Sequence, residues 1–360
     1  MNTNLILKKV FFLLLMIFFC KSDQIVTFVQ KENQIDILFD GNLFTTYLFE
    51  PDMAKPILYP VHSPSGIMVN RGFPLMEIEG ESRDHPHHAG IWFACDEVNG
   101  NKFWNTSEPP PQIKLMKVSK LQDGKSEGTL STVSHWIGVN GQILFEENRT
   151  MIFYHADSIY AVDFTITLTA KDTTVTIYDT KEGMFAIRVA DWLSEKNGTG
   201  LYLSSNGDET EKEVWGTRAN WVRLEGERDG KRIGVVILNH PGSTNYPTFW
   251  MARGYGLFSA NPIGQYIYQK HHQEENVQPL NLTLNKGESA LFQFRLILYE
   301  NELTKEQIDR IFENKLKRGK KNGDYKTRFY QNRGSGFGWY GCQWNGIGFN
   351  IKKLCQNSGR

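Results

Sequence analysis

The chain has 360 residues, enough to bury one large core or two medium ones. Its 40 basic and 40 acidic residues cancel to a formal net charge of zero, so no excess of positive charge indicates a nucleic-acid surface. Aromatic residues make up 13% of the chain, a content that suits β-sheet packing and also the binding of sugar rings. We therefore expect no nucleic-acid partner.

The first 24 residues have the composition of an export signal. Lys8 and Lys9 precede an apolar run over residues 10–19, which is too short to span a bilayer. Cys20 closes this run and polar residues follow it, as at the start of a bacterial lipoprotein. We predict a protein exported to the periplasm or cell surface of a Gram-negative bacterium. A lipid on Cys20 is the one membrane attachment that the sequence suggests.

Residues 25–300 consist of short runs of alternating polarity, broken by Gly, Asn, Asp and Pro. Within residues 160–168, apolar side chains stand at every second position: Tyr160, Val162, Phe164, Ile166 and Leu168. A period of two indicates a strand with one buried face. Many such strands without intervening helical periodicity predict an all-β fold, a large antiparallel β-sandwich.

One α-helix is predicted near the C-terminal end of this region, over residues 303–316. Thr304 and Gln307 form a capping box. The apolar face that follows consists of Ile308, Ile311, Phe312 and Leu316. We assign residues 25–317 to the β-sandwich domain. Residues 318–360 form a basic linker and a tail rich in Gly and aromatic residues.

The strongest candidate for chemistry is the segment GESRDHPHHAGIWFACDEVNGNKFW, residues 80–104. It contains three of the nine histidines of the chain, His85, His87 and His88. Imidazoles can act as acid and base near neutral pH, so we predict these three as catalytic residues. The alternative is a polar loop that Pro86 stiffens and in which a neighbouring aspartate anchors a histidine.

Further candidates lie in five other motifs and in the histidine segment itself. Glu182, in KEGMFAIRVADW, is predicted as the catalytic carboxylate, although it could equally be a turn residue before a strand. Arginine forks suit carboxylate or sulfate groups, and tryptophan rings stack on sugars. On these grounds the predicted substrate-binding residues are Tyr59, His62, Arg71, Asp84, Trp92, Trp104, Arg188, Arg218, His240 and Arg253.

We expect no cofactor. The sequence has no phosphate-binding loop, no dinucleotide-binding glycine motif and no H-E-x-x-H. It also lacks C-x-x-C, so a cysteine-based zinc site is not expected, whereas Cys342 and Cys355 could form a disulfide. A metal at the histidine segment stays open, with Glu81 or His240 as the third ligand.

The order of the motifs resembles a bacterial family often labelled "methane oxygenase PmoA". The motifs are KPILYPVHSPSG, RGFP, DHPHHAGIWFACDEVNG, EGMFAIRVA, WGTRANWV and NHPGSTNYPTFWMARGYGLFSANPIG, within residues 45–315. A membrane-embedded oxygenase subunit needs several spanning helices, which this sequence does not offer. The chain departs from the family pattern at Ala89, where an Arg is usual, and at Cys95, where a His is frequent.

What the resemblance implies is a galactose-mutarotase-like β-sandwich, a group common in polysaccharide-degrading Bacteroidetes. Such folds hold sugars on a concave sheet face and use histidines and carboxylates for acid–base chemistry at the ring. Fold similarity suggests a substrate class without proving a reaction.

We therefore predict an exported carbohydrate-active enzyme that acts on oligosaccharides, acidic ones included, during polysaccharide degradation. Histidines outnumber well-placed carboxylates in the motifs, which slightly favours β-elimination or dehydration over hydrolysis. The alternatives are a glycoside hydrolase on the same scaffold, a non-catalytic glycan-binding protein, and a metal-dependent oxygenase or hydrolase.

Overall fold

The computed structural model describes residues 25–104, 109–156 and 158–321, and of residues 315–321 the backbone course alone. The predicted signal segment, Cys20, and the tail with Cys342 and Cys355 lie outside the described residues. Within the described ranges, no helix combines the length and apolarity that crossing a membrane requires.

Strands dominate the described residues. In chain order they are β1 (Ile25–Gln30), β2 (Gln34–Phe39), β3 (Asn42–Leu48), β4 (Ile57–Val61), β5 (Ile91–Cys95), β6 (Gln112–Gln122), β7 (Gly124–Lys125), β8 (Glu127–Ile137), β9 (Ile143–Ala156), β10 (Ile159–Ala170), β11 (Val175–Ile177), β12 (Gly183–Arg188), β13 (Leu201–Ser204), β14 (Trp221–Arg228), β15 (Lys231–Asn239), β16 (Phe249–Ala252), β17 (Leu257–Asn261), β18 (Leu282–Leu284) and β19 (Ser289–Glu300). The α-helices are α1 (Thr210–Val214), α2 (Gln265–His271) and α3 (Lys305–Lys321).

Two large antiparallel sheets form a sandwich, as predicted. The first sheet has nine strands in the order β16-β17-β12-β5-β4-β3-β2-β1-β7, and the second has eight in the order β13-β14-β15-β19-β10-β9-β8-β6. Aromatic side chains join the two layers: the ring centroids of Phe93 and Phe292 are 5.5 Å apart, those of Phe164 and Phe185 4.7 Å, and those of Phe185 and Phe294 4.8 Å. The core therefore lies between the sheets.

The two faces of β10 pack against different parts of the protein. Its alternating set faces the core between the sheets: Tyr160, Val162, Phe164, Ile166 and Leu168. On the opposite face, Asp163 accepts two hydrogen bonds of 2.6 Å from Arg295 of β19. Both side chains are buried. A second apolar cluster covers this outer face, which explains why the alternate positions of β10 are not fully exposed.

Helix α3 covers that outer face. Thr304 and Gln307 exchange the reciprocal hydrogen bonds of a capping box, of 2.7 and 3.3 Å, so the predicted start of the helix is confirmed. Ile308 and Ile311 are buried in the second apolar cluster, and Asp309 accepts a 2.9 Å hydrogen bond from the Trp221 indole. The short helices α1 and α2 were not predicted, because five and seven residues are too few to show an apolar periodicity.

Candidate active site

The three histidines of the segment lie in the long connection between β4 and β5. This connection crosses the end of β12, because the Arg71 N–H donates to the Arg188 carbonyl at 2.9 Å and the Arg188 N–H donates to the Gly90 carbonyl at 3.1 Å. The turn between β16 and β17, which carries Tyr255, lies beside the same end of β12, since Leu257 pairs with Arg188. The neighbouring strands β17, β12 and β5 and the β4–β5 connection therefore bring the histidines together with Asp84, Arg71 and Arg188.

Asp84 is held by two buried arginines. Its Oδ1 accepts hydrogen bonds from Arg71 Nη1 at 2.5 Å and from Arg188 Nη2 at 2.6 Å. The arginine side chains are fully buried, whereas the side chain of Asp84 is 41% exposed. Burial alone would raise the pKa of Asp84, but the two guanidinium groups and a hydrogen bond to His85 outweigh it and hold the pKa below its usual value. The structure therefore keeps this carboxylate ionised at the surface.

A second carboxylate, that of Asp191, fixes the loop that carries Asp84. Asp191 accepts hydrogen bonds of 2.8 Å from both the N–H and the hydroxyl of Ser82. The Ser82 hydroxyl also accepts a 3.2 Å hydrogen bond from Arg188 Nη2, the atom that binds Asp84. This arrangement anchors the position of Asp84 to the end of β12.

His85 is oriented by Asp84. Its Nδ1 lies 2.9 Å from Asp84 Oδ2, and its side chain is 43% exposed. A carboxylate at Nδ1 favours the tautomer that carries its proton there, which leaves Nε2 with a free lone pair. The same carboxylate would stabilise the imidazolium that forms when Nε2 takes up a proton. Asp84 and His85 thus have the geometry of an acid–base pair open to solvent.

Four rings form a column from the core to the surface. Trp92 and His88 stack with centroids 5.4 Å apart, His88 and His85 with 4.9 Å, and His85 and Tyr255 with 5.2 Å. The last two pairs are within 1° of parallel. The Arg188 guanidinium lies 4.7 Å from the centroid of the Tyr255 ring. His85 is thus fixed by stacking on both faces as well as by its carboxylate.

The other two histidines have different environments. His88 is only 2% exposed, and burial lowers its pKa far below the usual value for histidine. His87 is half-buried, and burial together with the nearby charge of Lys55 lowers its pKa to about 4. Both rings are therefore neutral at pH 7, and neither lies on a carboxylate as His85 does. The three predicted catalytic histidines are brought together, but the geometry favours His85 as the acid–base group.

The two tryptophans do not offer an open stacking surface. Trp92 and Trp104 are buried, with centroids 5.0 Å apart, and both pack against His88. Their predicted role of stacking on a sugar from solvent has no support in this arrangement, because their faces are covered by protein.

Lys55 lies beside these rings and was not among the predicted residues. Its ammonium lies 3.5 Å from the carbonyl oxygens of His87 and Trp104 and 5.8 Å from the Trp92 centroid. Burial lowers the pKa of Lys55 to about 8, against the opposing effect of Asp96. A lysine in KPILYP gives no sign in the sequence that it is buried. Only the fold brings it to Trp104, 49 residues further along the chain.

Glu182 lies at the far end of β12 from Arg188, because it immediately precedes the first residue of that strand. Burial raises its pKa, as does the nearby charge of Asp96, while Lys181 at 3.5 Å lowers it. The negative charges of both Glu182 and Asp84 act on Tyr255 and raise the pKa of its phenol, although burial is the larger cause. Tyr255, the half-buried outer ring of the column, is thus influenced by the charges at both ends of β12.

Two further predicted residues lie near this region. Arg253 forms a 3.5 Å ion pair with Glu211 and lies 4.9 Å from the Trp215 centroid. The Tyr59 hydroxyl donates to the Gly72 carbonyl at 2.9 Å, which supports the start of the loop that carries the histidines.

Three predicted residues hold turns elsewhere. Arg218 donates to the carbonyls of Asn245 and Pro247, at 3.3 and 2.6 Å, and its guanidinium lies 4.1 Å from the Phe249 centroid. His240 Nδ1 accepts from a backbone N–H two residues ahead at 3.0 Å. His62 is in a β-bridge with Met68. The structure gives these three residues local structural contacts, and their role in substrate binding stays a prediction.

Among the described residues, no three His, Cys, Asp or Glu side chains are grouped as in a metal site. Of the two predicted third ligands, Glu81 accepts a 2.7 Å hydrogen bond from the Gly72 N–H, and His240 lies in the turn described above. The histidine segment is thus built around hydrogen bonds and ring stacking.

Comparison with known proteins gives a family and distant structural relatives. No curated protein matches the sequence significantly. The chain is similar to a galactose mutarotase related enzyme from Lactobacillus acidophilus, with 9% identity and a TM-score of 0.28, over 78% of this chain and 98% of that one. A galactose mutarotase-like protein from Clostridium acetobutylicum shows 10% identity and a TM-score of 0.33, over 79% of this chain and 100% of that one.

These likenesses say nothing about the substrate of this chain, and the β-sandwich assignment rests on the two sheets described above. The family comparison covers most of the described residues, since a family of unknown function, DUF6807, matches residues 34–313. The chain belongs to the DUF6807 family.

Proposed function

We propose that this protein is an exported carbohydrate-active enzyme that acts on oligosaccharides, including acidic ones, with His85 as its acid–base group. The observation that carries the proposal is the Asp84–His85 pair, an exposed imidazole on an ionised carboxylate that two buried arginines hold in place. A surface carboxylate needs no such support for stability, whereas a general base needs a fixed orientation and a fixed tautomer.

The chemistry that fits this pair is removal of a proton from a sugar ring. In a β-elimination, His85 Nε2 takes the proton from the carbon next to a uronate carboxylate. The electron pair of the C–H bond forms a carbon–carbon double bond, and the C–O bond at the next carbon breaks. The leaving oxygen takes a proton from an acid. General base catalysis of this kind contributes roughly 10²–10⁴-fold in rate.

Two groups can supply the proton to the leaving oxygen. Tyr255 stacks on His85, and burial raises its pKa, so the phenol stays protonated at neutral pH. Glu182, whose pKa burial also raises, is the other candidate donor, although it lies at the far end of β12 from Arg188. Hydrolysis would instead require two carboxylates across the scissile bond, at about 5–9.5 Å from each other. Asp84 is bound to two arginines and to His85, which makes it a poor partner in such a pair.

The test is incubation of the purified protein with a panel of acidic and neutral oligosaccharides. Elimination yields a product with the ultraviolet absorbance of an unsaturated sugar and no added water in its mass. Hydrolysis yields fragments that have gained water. Saturable binding of a sugar without any product would contradict the proposal and support the non-catalytic glycan-binding alternative.

A further inference from the structure

Within the histidine segment, a group of buried hydrogen-bond donors has no acceptor among the described residues. The group comprises the indole N–H groups of Trp92 and Trp104 and the ring nitrogens of His88. All three side chains are more than nine-tenths buried. A neutral imidazole carries one N–H, so three ring donors are present.

These donors lie close together. The His88 centroid is 5.4 Å from that of Trp92 and 5.8 Å from that of Trp104. Lys55, only 6% exposed, adds an ammonium 3.5 Å from the Trp104 carbonyl, at the weak limit of a hydrogen bond. Asp96, whose charge acts on Lys55, accepts a 3.0 Å hydrogen bond from the Trp104 backbone N–H. Donors therefore outnumber acceptors around this point.

Four of the other five described tryptophans donate their indole N–H to a protein acceptor, and Trp215 is the exception. Trp136 donates its indole N–H to Glu147 at 2.9 Å, and Trp250 donates to the Ala219 carbonyl at 3.0 Å. The Trp221 indole N–H is likewise bonded, as described above. Buried indole N–H groups usually find a partner, so two adjacent ones without an acceptor mark a place where an acceptor binds.

A groove that is open to solvent lies on the other side of Lys55 from these rings. It has a volume of about 390 Å³, and Lys55 is one of its walls, together with Phe49, Met53, Ile113 and Met116. The lysine stem thus separates the groove from the buried rings, while its ammonium faces Trp104. For an anion to pass from the groove to the rings, the Lys55 side chain has to move aside.

We propose that Lys55, His88, Trp92 and Trp104 form a binding site for one oxyanion, the carboxylate or sulfate group of an acidic sugar, which enters from the groove. Indole, imidazole and ammonium N–H groups all donate, and an oxyanion accepts several hydrogen bonds at once. In a buried setting these bonds are stronger than in water. Arg71 and Arg188, the predicted anion ligands, are bound to Asp84 instead.

The protonation of Lys55 makes the site sensitive to pH. Burial lowers its pKa to about 8, and the charged or titratable groups that face it are Asp96, His87 and His88. The ammonium form binds an anion and the neutral amine does not, so affinity should fall as pH rises through about 8. A bound anion raises the pKa of Lys55, so binding near that pH takes up a proton.

The inference depends on the proposed function only for the source of the anion, since binding of a free anion is measurable without turnover. Calorimetric titration of the full chain with sodium sulfate, with glucuronate and with glucose, at constant ionic strength, tests it. We expect sulfate or glucuronate to bind and glucose not to bind. Binding of glucuronate alone identifies a sugar carboxylate, and binding of sulfate alone identifies a sulfate group.

Variants locate the bound anion. Trp104→Phe and Trp92→Phe keep a ring and remove the unpartnered N–H, and Lys55→Met removes the charge. Each should weaken anion binding about tenfold or more, the effect of one charge-assisted hydrogen bond. Trp250→Phe is the matched control, because it removes an indole N–H that already has a protein acceptor, and it should leave anion affinity unchanged.

Failure of this inference is distinguishable from failure of the proposed function. His85→Ala should bind the anion as the wild type does, even where turnover is lost. Absence of binding of both anions to wild-type protein with native circular dichroism would overturn the site. Undiminished affinity in the folded Trp104→Phe and Lys55→Met variants would overturn it as well. Should Lys55→Met fail to fold, Trp104→Phe and Trp92→Phe provide the same test.

Discussion

Three arginines of this protein, Arg71, Arg188 and Arg218, look alike in sequence but bind different kinds of acceptor. Arg71 and Arg188 are buried and bind Asp84, a carboxylate that is 41% exposed and in turn holds His85. Arg218 is partly buried, and it binds backbone carbonyls of the turn before β16. Arg71 and Arg188 therefore fix a reactive group at the surface, whereas Arg218 closes a loop. The acceptor of a guanidinium therefore distinguishes a positioning role from a structural one.

The largest effect is expected from Asp84→Asn. An amide at this position cannot stabilise the imidazolium and can reverse the tautomer of His85, so turnover should fall by about 10²–10⁴-fold. Steady-state kinetics on the substrate that the oligosaccharide panel identifies would measure it. Turnover within threefold of the wild type would contradict the role of the pair.

A smaller loss is expected from the acid that protonates the leaving oxygen. Either Tyr255→Phe or Glu182→Gln should lower the turnover number by about a hundredfold, and the other should have little effect. The kinetics of both variants, measured with the same substrate, identify the acid. Little effect from both changes would exclude both residues as the proton donor.

Arg218→Met should affect stability and leave chemistry unchanged. Removing this partly buried guanidinium leaves the carbonyls of Asn245 and Pro247 without their donor, which costs about 1–3 kcal/mol of unfolding free energy. Urea unfolding measures this loss, and turnover per folded molecule should equal that of the wild type. Arg71→Met is the matched comparison, and it should lower turnover as well as stability. Equal losses of turnover in Arg218→Met and Arg71→Met would contradict the difference between a structural and a positioning arginine.

The smallest effect is a pH dependence of stability. The pKa of Asp84 is lowered in the folded state, so its contribution to stability is present above the unfolded pKa of about 3.9 and is lost as pH falls through the folded pKa. The difference in unfolding free energy between the wild type and Asp84→Asn should be greatest near pH 7 and shrink below about pH 3. Urea unfolding at several pH values measures it, and a difference that does not change with pH would show that Asp84 is not held ionised by folding.

Much of the fold could be predicted because strand alternation and helix capping depend on residues that are close together in the sequence. The alternation in β10 places Val162, Phe164, Ile166 and Leu168 in the core, as expected of period two. The capping box at Thr304 likewise depends on residues three apart. Neither feature requires knowledge of which strands pair.

The site was only partly predictable, because its roles depend on contacts between distant segments. The sequence brings His85, His87 and His88 together, but only the fold buries His88 and exposes His85. The acceptors of Arg218 lie 27 and 29 residues further along the chain. Burial of Trp92 and Trp104 is equally invisible in the sequence, since an aromatic residue near a histidine suits either a core or a binding wall.

The measurement that tests the central claim most directly is the turnover of His85→Ala beside that of His135→Ala. His135 lies on β8 in the second sheet, where its Nε2 is 3.7 Å from a carboxylate oxygen of Glu146, so the control also removes a histidine next to an acidic residue. The account predicts that His85→Ala lowers the turnover number by about 10²–10⁴-fold and that His135→Ala leaves it within threefold of the wild type. A fully active His85→Ala variant would contradict it.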